Sequence, residues 1–263
     1  MREARSASDE RAERRPPPAI AVVVPAHNES ALLGATLRST RAAARRLGPD
    51  GPRVVTVVAA DACTDGTAAV ARRHGAHVVE VSRRNVGAAR AAAVTAALGL
   101  LGEDAWRTWI AVTDADTVVP ARWLSHQLFH AGRGWECVVG TVRVASHPPV
   151  DKAVLHRHDA LYFAGRPPVR RLPWDHPHVH GANLGVTAEA YRSAGGFPPL
   201  THGEDRALVA ALEREGRRIL RTDRCPVRTA GRSTPRAPHG FGAFLRALDH
   251  PAETGAEPPE LPR

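Results

Sequence analysis

The sequence predicts an α/β fold built on a mostly parallel, doubly wound sheet with helices on both faces. Three observations carry that expectation. Short runs rich in β-branched and small apolar residues recur through the first 112 positions, each too short for a helix, as strands covered on both faces require. Helical segments rich in Ala, Leu and Arg separate them, giving the strand–helix rhythm of a parallel sheet. Polar and acidic motifs stand just past the strands, at the end where open α/β sheets bind ligands.

The first strand is residues 20–24 (IAVVV), closed by Pro25. Residues 30–47 form a helix, residues 54–59 a second buried strand, residues 67–74 a helix and residues 76–81 a third strand. Residues 88–101, almost wholly Ala, Val and Leu, are a strong helix leading to a strand at 109–112. Beyond residue 135 the pattern loosens. A strand at 137–144, a helix around 153–164 and a Pro/His-rich stretch at 166–180 precede a helix at 206–215 and a strand at 218–221.

Composition bounds the rest. A chain of 263 residues, 43% hydrophobic and 5% aromatic, builds one sizeable core from Ala, Val and Leu. Residues 1–18, ending in three prolines, and residues 249–263, rich in Pro and Glu, are too polar to offset chain entropy and are expected to be disordered. That leaves one domain at 19–248. The start lacks the apolar region of a secretory signal. No uninterrupted apolar run reaches the length of a membrane span. Cys63, Cys137 and Cys225 lie far apart with no paired spacing, and a reducing, cytoplasmic location is expected. The net charge of +9 rests on arginine and concentrates in residues 206–246, not in a detachable arm. It comes without the aromatic interleaving of single-strand nucleic-acid binders, so no nucleic-acid partner is expected.

Four motifs can carry chemistry. Pro25-Ala-His-Asn-Glu29 follows the first strand and reads either as a capping turn or as a binding loop. Asp61-Ala-Cys-Thr-Asp65-Gly-Thr67 follows the second; Asp65-Gly66 is a natural bend, and Asp61 is placed to accept from a base N–H. Asp114-Ala-Asp116 ends a buried strand, where two carboxylates repel unless a cation or donor joins them. Such oxygens suit Mg2+ or Mn2+ bridging to phosphate. Gly203-Glu204-Asp205 opens an amphipathic helix, where acids favour the helix dipole and one could also serve as a general base.

Taken in order with Asn85-Val-Gly-Ala-Ala-Arg90, Gly181-Ala-Asn-Leu-Gly-Val186 and Gly195-Gly-Phe197-Pro198, these motifs resemble the family 2 glycosyltransferases across residues 20–220. The resemblance implies a GT-A type, Rossmann-like fold, with a nucleotide-binding half at 19–120 and a smaller acceptor half at 121–248. It implies transfer of a sugar from a UDP- or GDP-sugar to a hydroxyl on a small-molecule or lipid-linked acceptor, inverting and dependent on Mn2+ or Mg2+. Pro25, Ala26, His27 and Glu29 would line the nucleoside pocket, with His27 stacking on the base and Asp61 reading its edge. Arg90 would approach base or diphosphate. Asp114 and Ala115 would meet the ribose, and Asp116, with Asp114 and a late histidine, His239, would hold the metal. Asp205 would be the base, with Glu204 supporting the acceptor, and Trp174, His180 and Asn183 would lie on the acceptor side.

The pattern departs from the family at Ala60, where a second aspartate is usual, and at Ala91, where Asn usually follows the Arg. A transmembrane tail and a QxxRW motif are both missing from the sequence, so a processive synthase is not expected, although peripheral membrane contact is compatible with it. The alternatives are a nucleotidyltransferase, whose Gly-rich triphosphate loop PAHNES does not resemble, and a non-catalytic sugar-nucleotide binder. His176, His178 and His180 alternate and would share one face if extended; an exposed or substrate-lining loop is expected there rather than a zinc site. Arg232 and Arg236 could clamp a diphosphate.

Overall fold

The computed structural model describes residues 16–145, 151–169 and 174–231. Its first half runs β1 (Ala19–Ala26), α1 (Leu33–Arg45), β2 (Arg53–Asp61), α2 (Thr67–Arg73), β3 (His77–Val81), α3 (Val86–Leu101), a 3-10 turn (Gly102–Arg107) and β4 (Thr108–Val112). The second half adds β5 (Thr117–Val118), α4 (Trp123–Ala131), β6 (Cys137–Ala145), α5 (Lys152–Tyr162), a 3-10 turn (Gly181–Asn183), β7 (Leu184–Thr187), α6 (Ala188–Ser193), α7 (Glu204–Arg214) and β8 (Ile219–Ala230).

All eight strands form one sheet in the order β3-β2-β1-β4-β7-β6-β8-β5. The first four are parallel, as the strand–helix rhythm requires. β1 is buried throughout: Ala19, Ala21 and Val23 face one apolar layer, and Ile20, Val22 and Val24 the other. α3, α6 and α7 cover the first layer, while α1, α2 and α4 cover the second. Pro18, placed in the N-terminal tail on composition, already belongs to the domain, because its carbonyl accepts from the Arg53 amide at 3.0 Å.

α3 lies against β1 and β2, and its Ala89, Ala93 and Ala97 let the backbone approach the sheet closely. With the 3-10 turn after it, the segment Val86–Arg107 is, by length and composition, apolar enough to cross a membrane. Arg90 and Thr95 interrupt that apolar run in the sequence, and in the fold Ala89, Ala93, Val94, Ala97 and Leu101 are core.

The second half departs from the expected pattern. β7 runs antiparallel to both β4 and β6. The chain reaches it through the turn Gly181–Asn183, which lies beside the carboxyl end of β4, since Leu184 pairs with Val112. The strand must therefore run back down the sheet. β5, α4, β7 and α6 were not expected, and β8 spans 12 residues where four were expected. Their local patterns are weak: β7 has four residues, one of them glycine, and β8 is interrupted by Pro226.

Candidate functional site

The loops after β1, β2, β3 and β4 share the carboxyl rim of the parallel strands, and the start of α7 joins them there. At the first three loops a non-glycine residue takes the left-handed backbone region: Asn28 (φ 51), Ala62 (φ 49) and Arg84 (φ 47). Such residues cost on the order of 1 kcal/mol or more each, and they persist only where surroundings over-determine them.

Asp61 supplies much of that determination. Its side chain is buried, and it accepts hydrogen bonds from the amides of Arg83 (2.7 Å), Arg84 (2.9 Å) and Asn85 (2.7 Å). Asp61 thus folds the loop after β3. His27 Nδ1 lies 2.6 Å from the Asp61 carbonyl, which holds its ring against β2. Asp65 forms the expected bend, accepting from the Ser30 amide (3.0 Å), the Thr67 amide (2.9 Å) and the Thr67 hydroxyl. Desolvation works to raise its carboxyl pKa, and these hydrogen bonds overcome it and hold the group well below the usual range. The Glu29 amide donates to Thr67 Oγ1 at 2.7 Å, so the PAHNE loop is docked on the DACTDGT turn. Pro25 and Ala26 are the last residues of β1, paired with Ala59 and Ala60.

At the end of β4 the two aspartates diverge. Asp114 keeps 35% of its side chain exposed and accepts from Arg90 at 2.6 Å. Burial of its inner side raises its pKa, Arg90 lowers it, and Asp116 and Asp205 push it up again. Asp116 accepts from the hydroxyls of Thr229 (3.2 Å) and Thr117 (3.5 Å), which ties it to β8 and β5. Ala115 is buried between them, its carbonyl accepting from Thr36 at 2.8 Å.

Arg90 is the residue expected to approach base or diphosphate. It is 4% exposed, and its guanidinium is shared between Asp114 and Glu204 rather than presented to solvent. Glu204, expected to support the acceptor, is 3% exposed and paired with Arg90. Asp205, beside it, accepts from the Gly181 amide at 2.6 Å and from the Arg206 amide at 2.8 Å. A Cβ at Gly181 would run into the Arg90 guanidinium, so a larger residue there would have to displace it.

The acceptor-side expectations fare unevenly. His180 lies beside Asp205; burial pushes its pKa down to about 4 against the pull of that carboxylate. Asn183 is instead a buried joint. Its amide accepts from Trp123 Nε1 (2.9 Å) and donates to the carbonyls of Thr141 (2.9 Å) and Cys225 (3.0 Å). Trp174 is buried too, 5.7 Å from the Phe163 ring and 5.4 Å from His176, so it is packing rather than an open platform. The three alternating histidines do share a face, with His176 and His178 inside the protein: His176 stacks on His178, His178 on His180, and Tyr162 lies 3.8 Å from His178. His239, Arg232 and Arg236 lie outside the described residues.

Sequence reasoning missed the Gly181 amide, the amides of residues 83–85 and the hydroxyls of Thr117 and Thr229. Backbone donors leave no side-chain signal, and threonine near a strand end is too common to read.

The family model for glycosyl transferase family 2 matches residues 21–195. The chain belongs to that family. Among solved structures, this family 2 chain is similar to a mannosyltransferase from Pyrobaculum calidifontis in complex with GDP-Man and Mn2+ (TM-score 0.58, 24% identity, 91% of this chain and 65% of that one). It is also similar to S. aureus TarS 1-349 in complex with UDP-GlcNAc (TM-score 0.61, 14% identity, 91% and 68%). A third similar structure is glucosyl-3-phosphoglycerate synthase from Mycobacterium tuberculosis with phosphoglyceric acid (TM-score 0.52, 20% identity, 89% and 79%). These likenesses establish the GT-A fold. The chain spans just under two thirds of the mannosyltransferase. No curated protein sequence matches it.

Among the described residues, the family 2 chain gathers no group of three His, Cys, Asp or Glu side chains for a metal ion. Its donors nevertheless fit a hard divalent cation. Asp114, bonded by Arg90, and Asp116, bonded by Thr229, are both carboxylates, and Mg2+-type sites commonly take one or two carboxylates and complete their shell with phosphate and water.

Proposed function

We propose that the chain transfers a sugar from a nucleotide-diphosphate sugar to a hydroxyl acceptor by direct, inverting displacement. The observation that carries this reading is Asp205. One of its oxygens is oriented by the Gly181 amide, and Arg90 and Glu204 join its helix to Asp114 at the end of β4. A carboxylate held this way can accept the acceptor's hydroxyl proton as its oxygen bonds to the anomeric carbon. The bond from that carbon to the diphosphate oxygen breaks, and its electron pair leaves with the nucleoside diphosphate.

Asp116, with Asp114 beside it, is the residue that would hold Mn2+ or Mg2+, which supplies charge neutralisation for the departing diphosphate. The loops after β1, β2 and β3, tied together through His27, Asp61 and the 83–85 loop, would receive the nucleoside. Solved relatives of this fold in complex with GDP-Man or UDP-GlcNAc support a donor of this class. The three cysteines are free, which supports a reducing, cytoplasmic setting.

Nucleotide release from a panel of UDP- and GDP-sugars with Mn2+ tests the reading. Asp205→Asn should bind donor within about 3-fold of wild type while release falls by about 100-fold or more. Asp116→Ala should lose metal-dependent binding of UDP or GDP. A fully active Asp205→Asn variant, or a wild-type protein that consumes no sugar nucleotide, would sink the proposal.

A further inference from the structure

Three features of α3 point at one place. Asn85 caps the helix by accepting from the Ala88 amide at 2.9 Å, and its own amide nitrogen donates to the Pro199 carbonyl at 2.8 Å. Gly87, within the first turn, donates its amide to the Leu200 carbonyl at 3.0 Å, and a Cβ there would stand 2.9 Å from the Leu200 nitrogen and 3.1 Å from Glu204 Cβ. Arg90, one turn further on the same face, reaches Glu204 and Asp114 and lies 5.8 Å over the Phe197 ring. Cap, glycine and arginine all address the segment 197–204 that delivers the chain into α7. More than 100 residues separate the partners in sequence.

Resting on the sugar-transfer reading above, we infer that Arg90 is a positioning residue: with Asn85 and Gly87 it forms a strap that seats the first turn of α7, and so Asp205, against the donor-side carboxylates. Its role is to fix the distance between the acceptor's base and the donor's leaving group, not to bind the nucleotide. The chemistry suits the task. A guanidinium presents a rigid planar fork that can bond two carboxylates on different elements at once, which a lysine ammonium cannot match in geometry. Buried between Asp114 and Glu204, it also offsets the repulsion that would drive α7 away from β4. Gly181 lies against the same guanidinium and donates its amide to Asp205, so a shift of Arg90 moves both supports of the base together.

The test uses the full chain with Mn2+ and the donor sugar nucleotide that the panel selects, water serving as acceptor so that no acceptor need be known. Glu204→Gln, nearly isosteric, removes the charge of the pair; Arg90→Lys keeps the charge but loses the fork. In both variants turnover for nucleotide release should fall by about 10- to 100-fold, the scale on which misplacing a reacting group by an ångström acts. Donor KM and the Kd of UDP or GDP should stay within about 3-fold in the same variants. The double variant should be no worse than the weaker single one, since both break one connection. Wild-type turnover in Glu204→Gln, or a loss of donor affinity as large as the loss of turnover, overturns the inference. If the wild-type protein releases no nucleotide from any donor, the sugar-transfer reading fails on its own. The strap is then judged by amide hydrogen exchange in residues 203–208: faster exchange in Glu204→Gln supports it, and unchanged exchange overturns it.

Discussion

Several side chains that read as ligand contacts also fasten the chain to itself, and the reason lies in hydrogen-bond capacity. Asn183 has one acceptor oxygen and two donor hydrogens, and Trp123, Thr141 and Cys225 engage them. Removing that amide strands a buried indole N–H and two carbonyls. Asn183→Ala should therefore cost about 3 kcal/mol and lower the melting temperature by roughly 6–12 °C, read by circular dichroism; a drop of less than 2 °C would mean water replaces the amide without loss. Asp61 behaves alike, three amides on one carboxylate. The sequence could mark both residues as important, because a polar group after an apolar strand invites a partner. It could not say whether the partner would be a ligand or the chain itself.

At the scale of elements, glycines separate packing from propensity within one helix. Gly87 and Gly99 both lie in α3, yet a Cβ at 87 would collide with the backbone of Pro198 and Leu200, whereas nothing lies within 4 Å of one at 99. Gly99→Ala should stabilise the protein by about 0.5–1 kcal/mol through helix propensity alone. Gly87→Ala should destabilise it by about 1–3 kcal/mol, since two backbones must part. Chemical denaturation of the two variants checks both signs, and equal effects would deny that α3 and the 197–204 segment touch so closely. Elements with strong local signals, β1, β2, α3 and β4, were legible in the sequence because every position of β1 and β4 is buried and α3 is nearly all Ala, Val and Leu. α4, α6 and β7 were not, because tertiary partners rather than periodicity hold them: Trp123 is pinned by Asn183, and β7 by β4 and β6 on either side.

The molecule as a whole carries a consequence of its buried histidines. Burial pushes His126, His176 and His180 down to about 4; neighbouring His and Arg charges add to the effect at His126 and His176, and Asp205 opposes it at His180. In the unfolded chain they titrate near 6.5, so between those values the unfolded state binds more protons and stability falls as pH falls. The contribution is fully present above about pH 6.5 and is lost as the pH drops toward 4. For His176, fully buried, the loss by pH 5 is about 2 kcal/mol. Asp114, whose pKa is raised, works in the opposite sense, favouring the fold at low pH, but it is one group against three. Urea midpoints at pH 7.5 and pH 5.0 should show the decline, and equal midpoints would place these rings in solvent. A chain shortened by residues 1–15 should melt like the full chain, since the first described contact to the sheet is made by Pro18; a large fall in melting temperature would mean the removed segment docks on the fold.

By itself the sequence determined the alternation of strands and helices, the placing of acidic motifs at strand ends and the family. Each of these is local: a buried strand must be apolar, and a motif's spacing is written along the chain. Only the tertiary structure decided that Arg90 faces Glu204 and Asp114, that Trp174, His176 and His178 point inward, and that β7 runs backward through the sheet. Those outcomes depend on which groups meet across intervening chain, more than 100 residues in the case of Arg90 and Glu204. A charged or aromatic side chain looks the same in the sequence whether its partner is another residue, a substrate or water.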